Sequence, residues 1–398
     1  MRSFSTWTLS ALALSAVTSH VAAAPTIARG VVKRSTASIM STERISLVRA
    51  NMLNISDKSW EIGAAVEALT ELEWPSLGVF GGRVPPPSKL NKTNNAEDVI
   101  AIAEQVVNTK TPGSLPLIDG DGAVGDPASI GNAVLLANWT RTNTSDTRFA
   151  YAAKDQLDFL LNVAPRSAAG AISQRESEVQ LWADFVYMAP PFIAYYGALQ
   201  GGAEGTKLLQ LAYDQCRLYR DVLFDADKSL WRHIELGSSS DDHLWGTGNA
   251  WAAAGMLRVL ETIRKSDLED QFYDQQLNLT IWIGEILTGA WKYQKENGTL
   301  YNYIDEEDSF ADTASTALLA ASTYRLAMVS GVSAYISAAD RAFELIDKSV
   351  DEDGWLQNTV DPLLFSTPSV NGAHSPEGQS FVLLLQAAYR DYYASLNT

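Results

Sequence analysis

The stretch Gln180-Leu181-Trp182-Ala183-Asp184-Phe185-Val186-Tyr187-Met188-Ala189-Pro190-Pro191-Phe192 places one acid, Asp184, among large apolar residues. It stands where an apolar segment begins and runs on through Ile193, Ala194, Tyr195 and Tyr196. Desolvation by such neighbours raises a carboxyl pKa and keeps the acid protonated, which a general acid requires. A helix N-terminus acts in the opposite sense and favours the anion. An Asp that merely supports its helix is the bland alternative. Recurrence of the pattern along the chain weighs against that alternative.

Outward from this stretch, a turn of small or polar residues feeding a helix of Ala, Leu and aromatics recurs. It is found at Trp60-Glu61-Ile62-Gly63, Gly125-Asp126-Pro127-Ala128-Ser129, Trp182-Ala183-Asp184, Trp245-Gly246-Thr247-Gly248-Asn249, Ala311-Asp312-Thr313-Ala314-Ser315 and Ser375-Pro376-Glu377-Gly378. Successive starts lie about 55 to 66 residues apart, and a second, more amphipathic helix fits between each pair, as over 151–163 and 333–349. The period is one helical hairpin, repeated six times. Helical patterning over 38–51, 60–74, 96–107, 126–138 and 149–162, with few strand signals, predicts an all-α protein. Six hairpins predict an (α/α)6 toroid, whose inner helices are covered on nearly all sides and whose outer helices keep a polar face. A superhelical array of helix pairs is the competing architecture. In the ring, inner-helix N-termini converge, gathering Trp60, Asp126, Trp182, Asp184, Trp245, Asn249, Asp312 and Glu377 at one funnel mouth.

The first residues read as a secretory signal over 1–24: Arg2, an apolar run over 7–17, then Ala22-Ala23-Ala24. Lys33-Arg34 reads as a dibasic processing site, making 25–34 a pro-segment and leaving 35–398 as a single domain with ample core. Sequons at Asn54, Asn91, Asn138, Asn143, Asn278 and Asn297 fit a glycosylating secretory route and an extracellular protein. Cys216, the single cysteine, forms no intramolecular disulfide, so stability rests on packing. A net charge of −17 and a pI near 4.7 argue against nucleic acid, whose binding needs Lys and Arg to neutralise phosphates. No apolar run after the leader approaches the roughly twenty residues of a membrane span. No phosphate loop, zinc-type Cys/His cluster or serine-triad signature is present, so neither metal nor cofactor is expected. A monomer is expected.

A mouth of tryptophans and tyrosines with a few carboxylates and amides suits carbohydrate: aromatic faces cover pyranose rings and polar groups bind hydroxyls. The opening stretch, together with Leu244-Trp245-Gly246-Thr247-Gly248-Asn249-Ala250-Trp251 and Ser375-Pro376-Glu377-Gly378-Gln379-Ser380-Phe381, resembles the family 105 glycoside hydrolases. These are the unsaturated rhamnogalacturonyl hydrolases, relatives of the family 88 unsaturated glucuronyl hydrolases, and the resemblance spans about 60–390. It implies the same toroid and an oligosaccharide substrate ending in a 4,5-unsaturated uronic acid, the product of a polysaccharide lyase. It implies hydration of the vinyl ether, with Asp184 as proton donor and Asp126 as the second carboxylate. His233 resembles a substrate-binding histidine and Trp251 an aromatic wall. Trp182, Tyr187, His243 and Trp245 complete the implied sugar-binding set.

Two positions depart from the family pattern. Gln174-Arg175 stands where many relatives have His-Arg, and Thr247 stands where many have an Arg able to grip the uronate. Loss of that Arg removes a bidentate, charge-assisted contact and shifts the task to Arg175, Arg232, His233 or His243. An ordinary glycosidase using Asp184 and Asp126 as a pair, and a carbohydrate-binding relative with impaired catalysis, are the alternatives.

Overall fold

The computed structural model describes residues 40–397 except 121 and 371, within one compact unit, Ala37–Thr398. The expected leader, 1–24, and the expected pro-segment, 25–34, lie outside the described residues. Among the described residues thirteen helices, two of which share one inner position, alternate between two rings of six. The outer ring holds α1 (Thr42–Ile55), α3 (Glu97–Thr109), α5 (Arg148–Asp158), α8 (Gly202–Leu223), α10 (Tyr273–Trp291) and α12 (Ile336–Ser349). The inner ring holds α2 (Ser59–Glu73), α4 (Gly131–Thr140, led by a 3-10 turn over Asp126–Ile130), the pair α6 (Phe185–Met188) and α7 (Pro190–Gln200), α9 (Gly246–Lys265), α11 (Thr313–Ser330) and α13 (Pro376–Ser395). Inner neighbours pack in sequence and α13 packs on α2, closing the ring. This is the expected (α/α)6 toroid rather than an open array.

Burial explains the two rings. Helix α11 buries every residue from Thr313 to Ala327, whereas α12 buries Ile336, Ala338, Ala339, Ala342, Phe343 and Ile346, a one-sided i, i+3, i+4, i+7 stripe. Phe343 stacks on Tyr389 of α13 with ring centroids 4.0 Å apart. Burying such a ring contributes about 1.5–3 kcal/mol. No helix among the described residues is long and apolar enough to cross a membrane.

The segment carrying Asp184 differs from its expected form. The single apolar helix read from sequence is split at Ala189, because Pro190 and Pro191 supply no N–H to continue α6 and restart the helix as α7. Helix α9 then crosses α6 closely at Gly255. A Cβ there would lie 2.2 Å from the Val186 carbonyl oxygen, so only glycine lets α9 support the short helix that begins at the acid.

Short hairpins and loops cover the N-terminal end of the inner ring. Strand β1 (Leu181–Trp182) pairs antiparallel with β4 (Ile234–Glu235), β2 (Phe224–Asp225) with β3 (Leu230–Trp231), and β5 (Leu300–Tyr301) with β6 (Ala311–Asp312). Strand β7 (Val360–Asp361) pairs with β8 (Leu364–Pro368). The C-terminal halves of the inner helices carry a buried charge network. Arg258 meets Glu67 at 2.6 Å and Glu71 at 2.5 Å, and Arg325 meets Glu71 at 2.8 Å and Asp391 at 2.7 Å. The Phe80 ring lies 5.7 Å and 4.6 Å from the two guanidinium carbons. This floor ties α2, α9, α11 and α13 together.

Candidate active site

Asp184 precedes the first turn of α6 and makes no cap hydrogen bond with its side chain. Phe185, Val186, Tyr187 and Met188, which follow it, are all buried. Burial raises its carboxyl pKa, with His233 partly opposing the shift. The side chain remains 16% exposed, yet Oδ2 is buried without a hydrogen-bond partner, so the open part of the carboxyl is its other edge.

His233, only 1% exposed, brings Nε2 to 3.6 Å from Asp184 Oδ2. Its other nitrogen, Nδ1, lies 2.9 Å from Asp241 Oδ2. The backbone sets this arrangement: Ala183 N–H donates to the His233 carbonyl, His233 N–H to that of His243, and Ile234 and Asp241 exchange a pair of hydrogen bonds. Asp241 Oδ1 lies 2.5 Å from Nδ1 of the exposed His243. Burial would raise the Asp241 carboxyl, but the hydrogen bonds from His233 and His243 outweigh it and hold it below the usual carboxylate range. The hydrogen bond to Asp241 in turn raises His243. His243 stacks on Tyr303 at 4.3 Å, and its Nε2 lies 3.7 Å from Glu306. Asp241, Asp242 and His243 bring one ligand atom each within 4.8 Å of one another, but both Asp241 oxygens are already engaged by imidazoles.

Aromatic rings enclose the histidine. Trp182 meets it edge-on at 5.6 Å, Trp245 lies at 4.4 Å, and Phe365 of β8 stands on it at 4.5 Å. Asn302 anchors that cover, accepting from Trp245 Nε1 at 3.0 Å and donating to the Phe365 carbonyl at 2.9 Å. The guanidinium of Arg175 lies 6.0 Å from the Trp182 ring. Among the described residues no carboxylate pairs with Arg175. Gln174 Nε2 donates to Asp126 Oδ1 at 2.7 Å, which ties the loop before β1 to the start of the preceding inner helix. Gln174 Oε1, Thr247 Oγ1 and His233 Nε2 join Asp184 Oδ2 as buried polar atoms without a hydrogen-bond partner. Such atoms are few in folded proteins and call for a specific explanation.

Glu377, at the start of α13, is buried and accepts from Trp60 Nε1 at 2.9 Å. Burial pushes its carboxyl well up, reinforced by Glu61 and, more weakly, by Asp184.

Several sequence-based assignments need correction. Tyr187 and Trp251 pack on each other at 4.3 Å and are sealed in the interior, Tyr187 facing Arg258 and Trp251 facing Phe381. They support the mouth from below rather than offering a sugar-facing wall. Asn249 spends its amide on the backbone of Trp231 and Trp245, and Asp312 caps α11 and accepts from Val360 N. Neither is an open group of the funnel. Arg232, by contrast with Arg175, is paired with Asp225 at 3.0 Å. Sequence reasoning did not single out Asp241, Phe365 or Asn302, because no local motif marks them.

Of the sequons, Asn54, Asn91, Asn143 and Asn297 are exposed. Asn138 and Asn278 are half-buried within helices, and the Asn278 amide donates to the Tyr213 hydroxyl. Cys216 is buried, and its thiol is pushed up by desolvation.

Comparison with known proteins places this geometry in a family. Among solved structures, a possible family 105 member from Salmonella enterica serovar Paratyphi A aligns with a TM-score of 0.69 at 17% identity, covering 88% of this chain and 93% of that one. A family 105 glycoside hydrolase from C. acetobutylicum aligns at 0.66 and 14%, covering 87% and 99%. The unsaturated glucuronyl hydrolase responsible for glycosaminoglycan degradation in Bacillus sp. GL1 aligns at 0.61 and 14%, covering 87% and 94%. At such identities these likenesses establish the shared fold. No curated protein sequence matches the chain. The family model for Glycosyl Hydrolase Family 88 matches residues 89–367, a span that holds Asp126, Asp184, His233 and Asp241 and exceeds half the chain, and the protein therefore belongs to glycoside hydrolase family 88.

Proposed function

We propose that this protein hydrates the 4,5-unsaturated uronyl residue at the non-reducing end of lyase-generated oligosaccharides, with Asp184 as proton donor. Pectic fragments of rhamnogalacturonan type are the proposed substrates, and the proposed place of action is outside the cell. The observation that carries the reading is the setting of Asp184: an uncapped carboxyl whose pKa burial raises, with one edge open and the other backed by His233. From its open edge the acid gives a proton to C4. Water adds at C5 and returns a proton to Asp184, and the resulting hemiketal opens to release the remaining sugar. Donor and base are one group, so the carboxylate-spacing rule of ordinary glycosidases does not apply. Such a group contributes about 10²- to 10⁴-fold in rate.

Arg175 supports uronate recognition, since it is a guanidinium beside Trp182 with no carboxylate partner among the described residues. It takes the task of the Arg that Thr247 replaces. One solved neighbour is a complex with dGlcA-Glc-Rha-Glc, which supports an unsaturated uronide as the ligand class. Exposed sequons at Asn54, Asn91, Asn143 and Asn297 are compatible with secretion.

Incubation with lyase-digested rhamnogalacturonan at mildly acidic pH should bleach the ultraviolet absorbance of the conjugated uronate, with wild type and not with Asp184→Asn. A flat trace from folded wild type across several unsaturated uronides would sink the reading and favour an ordinary glycosidase or a sugar-binding protein.

A further inference from the structure

We propose that Asp241 is a positioning residue that pins a proton on His233 Nδ1, so that Nε2 is the imidazole atom presented to Asp184. This rests on the hydration reading above for its catalytic consequence, though not for its geometry. The two distances define the relay: Asp241 Oδ2 to His233 Nδ1 is 2.9 Å, and His233 Nε2 to Asp184 Oδ2 is 3.6 Å. Both facing atoms of the second pair are buried and otherwise unpartnered. The ring cannot turn to present its nitrogens differently, because Trp182, Trp245 and Phe365 surround it. A carboxylate accepts Nδ1–H and cannot donate to it when ionised, so Nδ1 keeps its proton whether the imidazole is neutral or charged. Every proton that His233 gains or loses is then carried at Nε2.

The charged groups around the pair come from several elements. Asp184 faces His233 from the start of α6, and Asp241 faces it from the loop after β4, with His243 behind that carboxylate. Glu377 of α13 and Tyr219 of α8 also act on the Asp184 side. When Asp184 gives its proton to the vinyl-ether carbon, Nε2 faces the carboxylate just formed, and the attacking water restores the spent proton.

The test uses the full-length protein labelled with ¹⁵N-histidine, read by NMR across pH without substrate, for wild type, Asp241→Ala, Asp241→Asn and Asp184→Asn. Neutral His233 should carry its proton on Nδ1 in wild type and in Asp184→Asn. In Asp241→Ala it should shift toward the Nε2–H form that imidazole prefers in water. In turnover assays Asp241→Asn, which keeps the shape and loses the charge, should lower kcat about 10- to 100-fold. It should also move the basic limb of the kcat pH profile about one pH unit down, with little change in KM. A proton on Nε2 in neutral wild-type His233, an unchanged tautomer in Asp241→Ala, or a fall in kcat with an unmoved limb would each overturn the proposal. The NMR arm needs no substrate, so failure of the hydration reading, seen as no turnover by wild type, is distinguishable from failure of the relay.

Discussion

The two ends of the toroid bury charge in opposite ways. At the floor, Arg258 and Arg325 each meet two carboxylates within 2.8 Å. At the mouth, the closest approach to Asp184 is a histidine nitrogen at 3.6 Å, and Oδ2 has no hydrogen-bond partner. Both regions lie in low dielectric, where an uncompensated charge is costly. The floor answers that cost by pairing, and its charges become structural ties between helices. The mouth answers it by raising the Asp184 pKa, which favours the form that can give a proton away.

Removing the central group from each end should break the comparison most strongly. Asp184→Asn is expected to cost about 10²- to 10⁴-fold in kcat while thermal unfolding shows a fold at least as stable as wild type. Loss of stability in parallel with activity would place Asp184 with the floor charges. Arg258→Met should do the reverse. Leaving Glu67 and Glu71 without that partner should cost about 3–5 kcal/mol, read as a lower denaturation midpoint. Normal stability in that variant would mean that the floor pairs are dispensable.

A smaller effect is expected at the rim. Arg175→Gln should raise KM for unsaturated uronides about tenfold, the scale of one charge-assisted hydrogen bond of about 1.5 kcal/mol, and leave kcat nearly unchanged. An equal fall in kcat would give Arg175 a role in the chemical step.

The finest distinction is in pH dependence. Asp184 has a folded pKa raised by burial, so the folded state holds its proton where the unfolded chain has lost it. That contribution to stability is complete below the ordinary carboxylate pKa of about 4 and is lost as pH rises through the higher folded value. Asp184→Asn should therefore gain in Tm over wild type as pH rises above about 4. Asp241 has the opposite sign. Its hydrogen bonds to two histidines hold it low, so its contribution is present above the ordinary value and is lost as pH falls through the folded one. Asp241→Asn should lose most stability near neutral pH and least in acid. Parallel Tm curves for the two variants would contradict this assignment.

The six turns that start the inner helices were legible because each is local: a small or polar residue, then an unbroken apolar helix, at a period one hairpin long. Asp184 was legible for the same reason, through its neighbours in one stretch. Tyr187 and Trp251, which the resemblance put beside the sugar, are buried against other inner helices; an inner helix is apolar on all sides, so periodicity gives no sign of which face meets the funnel and which meets another helix. The break at Ala189 was present in Pro190-Pro191, but the apolar run around it masked the signal.

What the sequence by itself determined is the ring: hairpin number, order and the end at which the helices begin all follow from short-range pattern and chain connectivity. What only the tertiary structure decided is which groups meet across that ring. Arg258 and Glu67 are 191 residues apart in the chain, and Phe365 reaches His233 from a distant hairpin. Asp241 is only eight residues from His233, yet its role depends on a loop closed by the hydrogen bonds between Ile234 and Asp241. Charge pairing and pKa depend on distance and desolvation in the folded state, and neither quantity is carried by sequence separation.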